Sequence, residues 1–229
     1  GQTDTDVTIS EERTEQNHEK VILEVENYSI AFDRQIMEEV TFSMEAGGKV
    51  AIVGPNGTGK TTILRDIYKN NNPAIKLAPD LKIAYLSQMH GEVFNEKETV
   101  LKNFEDAGFE TEAEIVRYLK TYGFEEELVY NKVENLSGGE KNLLQLAKIS
   151  RMDADFLLLD EPTSHLDTYS QLALEQAIEK YEGAVLMVSH DFYTVANCMD
   201  YVLFVEEKKL RKMSIRKFRK MIYADHFDK

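Results

Sequence analysis

The run GPNGTGKTT, residues 54–62, lies between the apolar stretch KVAIVG and the helix-patterned TTILRDIYK, with which it overlaps at either end. Glycine, four residues, glycine, lysine and a hydroxyl residue is the pattern of a phosphate-binding loop. KVAIVG reads as a short buried strand that ends on Gly54, and Ile63, Leu64 and Ile67 recur at helical spacing after it. The loop needs these residue types. Gly54, Gly57 and Gly59 let the backbone of 54–59, Asn56 included, turn its N–H groups inward around phosphate oxygens. The helix N-terminus at Lys60, Thr61 and Thr62 adds partial positive charge. Lys60 is expected to reach the β- and γ-phosphates of a nucleotide, and the Thr61 hydroxyl to help hold Mg²⁺.

Outward from the loop the pattern alternates. VILEVENYSIAF and EEVTFSM precede it as strands with β-branched and alternating apolar positions, and LKIAYLS follows it as another. From Glu96 to Lys132 the spacing turns helical, with a capping box expected at Thr111 and Glu114. DFLLLDE and AVLMVSH are fully apolar strands separated by the helical TYSQLALEQAIEKY. Strands alternating with helices predict an α/β core, with the helical stretch as a side lobe. FLLLDE, residues 156–161, ends a buried strand in two carboxylates. Asp160 is placed to bind Mg²⁺, and Glu161 to polarise an attacking water.

Composition sets limits on function. The chain has 229 residues, 42% of them hydrophobic, enough for one large domain core. No apolar run approaches the roughly 18 residues of a membrane span, and no basic-then-apolar leader opens the chain. A single cysteine, Cys198, allows no internal disulfide and points to a reducing, cytoplasmic compartment. The sequence opens on Gly1 rather than methionine, as an excised fragment would. The net charge of −14 is uneven. Residues 1–20 hold six acids and two bases and read as a linker or loose lead-in, residues 208–229 hold nine bases and two acids, and the body 21–207 carries −17. So acidic a body argues against broad binding to nucleic-acid phosphates, DNA included.

NLSGGE, residues 135–140, opens a further helix with a small hydroxyl and two glycines. A turn exposing the Ser137 hydroxyl and the Gly138 and Gly139 amides is built to hold an anion, yet 54–59 already surrounds the chain's own phosphates.

With LSGGE between the two other motifs, the chain resembles a nucleotide-binding domain of the ABC ATPase superfamily over Val21 to Phe204. The resemblance implies a P-loop ABC ATPase domain with a mixed β-sheet core over 21–207 and a small helical signature subdomain at about 96–152. It also implies a Mg²⁺-dependent ATPase. GPNGTGKTT is then the Walker A loop, LLLDE the Walker B strand, LSGGE the signature and SHLD, 164–167, the D-loop. Phe32 takes the place of the aromatic that stacks on adenine, and Gln88 that of the loop glutamine sensing metal and water. His190 takes the place of the switch histidine at the γ-phosphate. Asp167 would relay contacts between domains. In this family the signature closes over the γ-phosphate of a facing domain. The implied partner is therefore a second ABC ATPase domain, in a longer chain or as a homodimer.

EPTSHLD and LSGGEKNLLQLAKI resemble the ABC-F proteins, soluble tandem ATPases that act on ribosomes, some in antibiotic resistance. His165 fits that group, while Ser164 and Leu143 depart from it. The closing KMSIRKFRKMIY resembles the end of an ABC-F second domain. The alternative is the ATP-binding subunit of a membrane transporter. A chromosome-organising head is disfavoured, because Lys60 and Leu136 lie only 76 positions apart, with no room for a long coiled coil. The basic stretch 208–220 reads as a final strand and amphipathic helix, with Ser214 as N-cap and Ile215, Phe218 and Ile222 inward. Its outer face is free to meet ribosomal RNA.

Overall fold

The computed structural model describes residues 20–86 and 93–227, with side chains up to Ala224. Two sheets form. The first is antiparallel, in the order β2 (Gln35–Glu45), β1 (Val21–Ala31), β4 (Ile75–Leu77). The second has six strands in the order β5 (Ile83–Leu86), β6 (Phe156–Asp160), β7 (Ala184–Val188), β3 (Lys49–Val53), β8 (Tyr201–Glu206), β9 (Lys209–Ser214). Its strands are parallel except for the β8–β9 hairpin, which makes the sheet mixed.

The central sheet divides two cores. Phe156 and Leu158 of β6 face one core, with Ile52, Leu186, β1 and the helix α1 (Lys60–Lys69). Leu157 and Leu159 face the other, which the remaining helices fill. Burial on both faces is why FLLLD and AVLMV run apolar without alternation. The second core takes Leu101, Leu119, Leu144, Leu174 and Phe218 from helices spread along the chain. Those helices are α2 (Val100–Asn103), α3 (Glu112–Thr121), α4 (Glu126–Val129), α5 (Gly138–Arg151), α6 (Thr168–Lys180), α7 (Phe192–Cys198) and α8 (Ile215–Phe227).

The stretch expected to be helical from Glu96 to Lys132 is broken into α2, α3 and α4 by turns. The expected capping box there is offset. Thr111 Oγ1 accepts from the Glu114 N–H at 3.3 Å, but the Glu114 carboxylate takes the N–H of Glu110 at 2.9 Å. The sequence does not predict β4, because IKL is short and set between Pro73-Ala74 and Ala78-Pro79. It exists through pairing with β1, Leu23 opposite Leu77 and Val25 opposite Ile75.

The parallel strands set the site. Val53, Asp160 and Val188 end β3, β6 and β7 side by side, with Ile52 and Asp160 both registered on Val188. The segments leaving those ends, 54–59, 161–167 and 189–191, gather at one edge, where open α/β sheets bind ligands.

Candidate functional site

The loop after β3 owes its shape to its glycines. Gly57 and Gly59 sit at φ 77° and 82°, left-handed values that side chains resist. Gly54 is needed for closeness instead, since a Cβ there would lie 2.8 Å from that of Val205. At Gly57 a Cβ would meet nothing within 4 Å, so that stretch of backbone borders open space. α1 starts with no side-chain cap, leaving its first N–H groups to the cleft. Lys60 is buried, and its Nζ donates to the carbonyls of Gly54 and, at 3.3 Å, Pro55. Burial pushes its pKa down, and the charges of Glu161 and Asp160 pull it back up.

Asp160, at the end of β6, is buried and accepts from Thr61 Oγ1 and from Tyr85 Oη, each at 3.3 Å. Burial raises its pKa, against the two hydrogen bonds and the charges of Arg65 and Lys60. Both bonds are long, so the carboxylate keeps lone pairs available. The Tyr85 hydroxyl is itself pushed up to about 12, first by burial and then by Asp160. Sequence reasoning had not singled out Tyr85. Its role depends on β5 lying beside β6, a pairing of positions 73 residues apart.

Glu161 has φ 50°, a left-handed conformation costing a non-glycine residue about 1–2 kcal/mol. The turn swings its carboxylate from the strand end toward β7. Glu161 Oε1 lies 2.5 Å from His190 Nδ1, and Oε2 accepts the His190 backbone N–H at 3.2 Å. His190 Nε2 meets Asn56 Oδ1. Carboxylate, imidazole and amide thus join the three loops in a single chain of contacts.

Around these groups lies a cleft of about 730 Å³, lined among others by Phe32, Asn56, Lys60, Thr61, Glu161 and His190. Gly57, Gly59 and Thr62 line it as well. Phe32 stands at its mouth, 67% exposed on the turn between β1 and β2, where it offers a flat apolar face. The donors fit Mg²⁺ with a nucleoside triphosphate. The Thr61 hydroxyl and Asp160 carboxylate are hard oxygens, while Lys60 and the open glycine backbone suit phosphate. Gln88, expected to sense metal and water, lies outside the described residues.

Ser137, Gly138, Gly139 and Asp167 do not line the cleft. Ser137 caps α5 in a reciprocal box. Its Oγ accepts the Glu140 N–H at 3.1 Å, and the Glu140 carboxylate accepts the Ser137 N–H at 2.9 Å. Glu140 was missed, although S-x-x-E is the sequence mark of that box. The Ser137 hydroxyl is used here as an acceptor, so its proton is still free to be donated. The two glycines differ. A Cβ on Gly139 would meet the His165 carbonyl oxygen at 2.6 Å, whereas one on Gly138 would meet nothing within 4 Å. Asp167 caps α6, accepting the Ser170 N–H at 2.7 Å, and that bond holds its carboxyl below the usual range.

Residues 37–164, more than half of the chain, match the family model described as ABC transporter. The chain is 33% identical over 84% of its length to the ribosome protection protein VmlR of Bacillus subtilis. It is 34% identical over 81% to ABC transporter F family member 5 of Arabidopsis thaliana, and 33% over 78% to the ATP-binding protein Uup of Escherichia coli. The chain spans 36%, 28% and 29% of the length of these three relatives. Its fold superposes on the ATP-binding subunit of an ABC transporter with a TM-score of 0.69, at 22% identity, covering 88% of this chain and 93% of that one. An ATP-bound bacterial Atm1-family exporter gives 0.74, also at 22% identity, over 91% of this chain and 42% of that one. Domains of this family bind ATP with Mg²⁺ and work in pairs. The chain belongs to the ABC transporter family, as a domain that binds and hydrolyses ATP.

Proposed function

We propose that this domain is half of an ABC-F ATPase whose nucleotide cycle drives binding to and release from the ribosome. One observation carries the half-site reading. The cleft holding Lys60, Glu161 and His190 contains no residue of the 137–139 turn, while Gly138 opens onto empty space. Gly138, exposed at the head of α5 with open space before it, is suited to close over the γ-phosphate of a facing domain. The ABC-F assignment rests on relatives that include a ribosome protection protein, and it implies a cytoplasmic protein. The helices described include none long and apolar enough to cross a membrane.

In this reading Phe32 stacks on adenine, and Lys60 with the amides of 56–62 holds the β- and γ-phosphates. Thr61 and Asp160 hold Mg²⁺, which when bound neutralises charge on the phosphate oxygens. Glu161, held in its turn, orients a water for attack on the γ-phosphorus. His190 is fixed by Glu161 at Nδ1 and presents Nε2 toward the phosphate side. Positioning and charge neutralisation supply most of the rate. Gln88 is assigned to sensing metal and water on the resemblance alone.

The experiment is co-sedimentation of Glu161→Gln with ribosomes in Mg-ATP, against sedimentation with membranes. Enrichment in the ribosomal pellet that is lost without ATP is expected. Membrane association alone would move the domain to the transporter reading.

A further inference from the structure

Away from the nucleotide cleft, α7 and α8 enclose a second, smaller cavity of about 410 Å³. Tyr193 and Tyr223 line it, 50% and 53% exposed, with Arg219 and Ile222. Arg219 is fixed there, since its Nε and Nη2 both donate to the Ala196 carbonyl, at 3.2 and 2.8 Å. On α8, Phe218 and Ile222 pack into the core, and Ser214 Oγ accepts the Lys217 N–H at 3.2 Å. The outward positions are Arg216, Lys217, Lys220 and Tyr223, spaced to share one face. None of the three cations takes part in the ion pairs of the described residues. From Lys208 to Ala224 the chain has no acidic residue, on a protein whose body carries −17.

We propose that this surface binds single-stranded RNA, with backbone phosphates on Arg216, Lys217 and Lys220 and an unstacked base between Tyr193 and Tyr223. Unpaired cations beside exposed aromatic rings are the two components of single-strand recognition. A duplex keeps its bases stacked and cannot fill the cavity, and the acidic body repels any long phosphate track. An anionic membrane is a weaker match, because Phe218 and Ile222 of α8 are spent on the core and only tyrosine rings face outward, with no large aliphatic side chain to insert. The inference deepens the ribosome reading by naming one contact, but it is tested on RNA alone.

The test is fluorescence anisotropy with a labelled oligouridine of about a dozen nucleotides, alongside a matched RNA duplex and phosphatidylserine vesicles. Three phosphate contacts give a log–log salt slope of about −2, so affinity falls roughly 20-fold between about 50 and 200 mM salt. Replacing Arg216, Lys217 and Lys220 together by Gln should flatten that slope. Tyr223→Ala and Tyr193→Ala should each weaken binding about tenfold and leave the slope unchanged. ATP turnover should stay at the wild-type rate in every variant, which checks folding. Wild-type protein that fails to bind the oligouridine, prefers the duplex or vesicles, or binds equally well as the triple variant overturns the proposal. Oligouridine binding without ribosome co-sedimentation would keep this surface and remove the ribosome reading. Co-sedimentation without oligouridine binding would do the reverse.

Discussion

Gly138 and Gly139 are adjacent, alike in type and in the first turn of α5, yet alanine should act on them in opposite ways. At Gly138 a Cβ meets no heavy atom within 4 Å. Alanine is the better helix former by up to ~1 kcal/mol, so stability without nucleotide should hold or rise by that much. In a domain of this size that is about 2–4 °C in Tm. At Gly139 a Cβ would lie 2.6 Å from the His165 carbonyl oxygen and 3.0 Å from Leu166 Cδ2. Backbone has to move, and overpacking of this kind costs about 1–3 kcal/mol. Set against the helix gain, Gly139→Ala should lose up to ~2 kcal/mol, a drop of about 4–8 °C. Activity should separate differently. If the turn closes over a facing γ-phosphate, Gly138→Ala puts a methyl into that closure, and turnover at high protein concentration should fall at least ~10-fold, or ~1.4 kcal/mol. Thermal denaturation without nucleotide, paired with phosphate release across a range of protein concentrations, reads both quantities. A stable Gly138→Ala with full, concentration-independent turnover would refute the reasoning.

Glu161→Gln should keep Mg-ATP binding, as seen by thermal shift, but nearly abolish turnover and accumulate a head-to-tail dimer by light scattering. More than half the wild-type rate would remove Glu161 from its role. Gln145 is fully buried on α5 with neither amide atom hydrogen-bonded. Gln145→Met keeps the volume, removes the unsatisfied group and should stabilise by about 1–3 kcal/mol in urea titration, whereas a loss would mean that an internal water satisfies it. Burial, then the charges of Glu175 and Glu179, pushes the Cys198 thiol up to about 12. Iodoacetamide at pH 8 should therefore label it only at the rate of unfolding, and fast labelling of native protein would contradict its packing. Asp160 has its folded pKa raised, so the apo fold favours the protonated form. In chelator the wild type should lose stability as pH rises from the ordinary carboxylate range through the raised value, and Asp160→Asn should remove that part of the slope.

What the sequence made legible is what lies close together along it. The strand–loop–helix of 49–69 and the apolar strand ending in Asp160 and Glu161 carry their own patterns within a few residues. Phe32, Asn56, Lys60, Thr61, Glu161 and His190, named from motifs, line one cleft. What stayed hidden depends on distant pairing. Tyr85 reaches Asp160 only because β5 lies beside β6. β4 is a strand only because β1 offers it an edge. The different burdens of Gly138 and Gly139 depend on where the 161–167 loop passes, which no local pattern encodes. Glu140 is legible locally, because Ser137 followed three residues later by a glutamate at a helix head is the pattern of a capping box.

That loop also has a mechanical meaning. Glu161 at one end touches His190 inside the cleft, and four residues later the His165 carbonyl lies where a side chain on Gly139 would have to be. Both residues are left-handed, at φ 50° and 64°, and the turn between them is braced by N–H bonds from Ser164 to Glu161 at 3.2 Å and from Leu166 to Thr163 at 3.1 Å. A segment this short and this tied has little slack to absorb a displacement. A shift of the Glu161 carboxylate would therefore be felt at the head of α5, like movement through a rigid coupling rod. Each half of a pair would thus report the state of its own cleft through the very turn it offers to its neighbour, and the two clefts would be geared together.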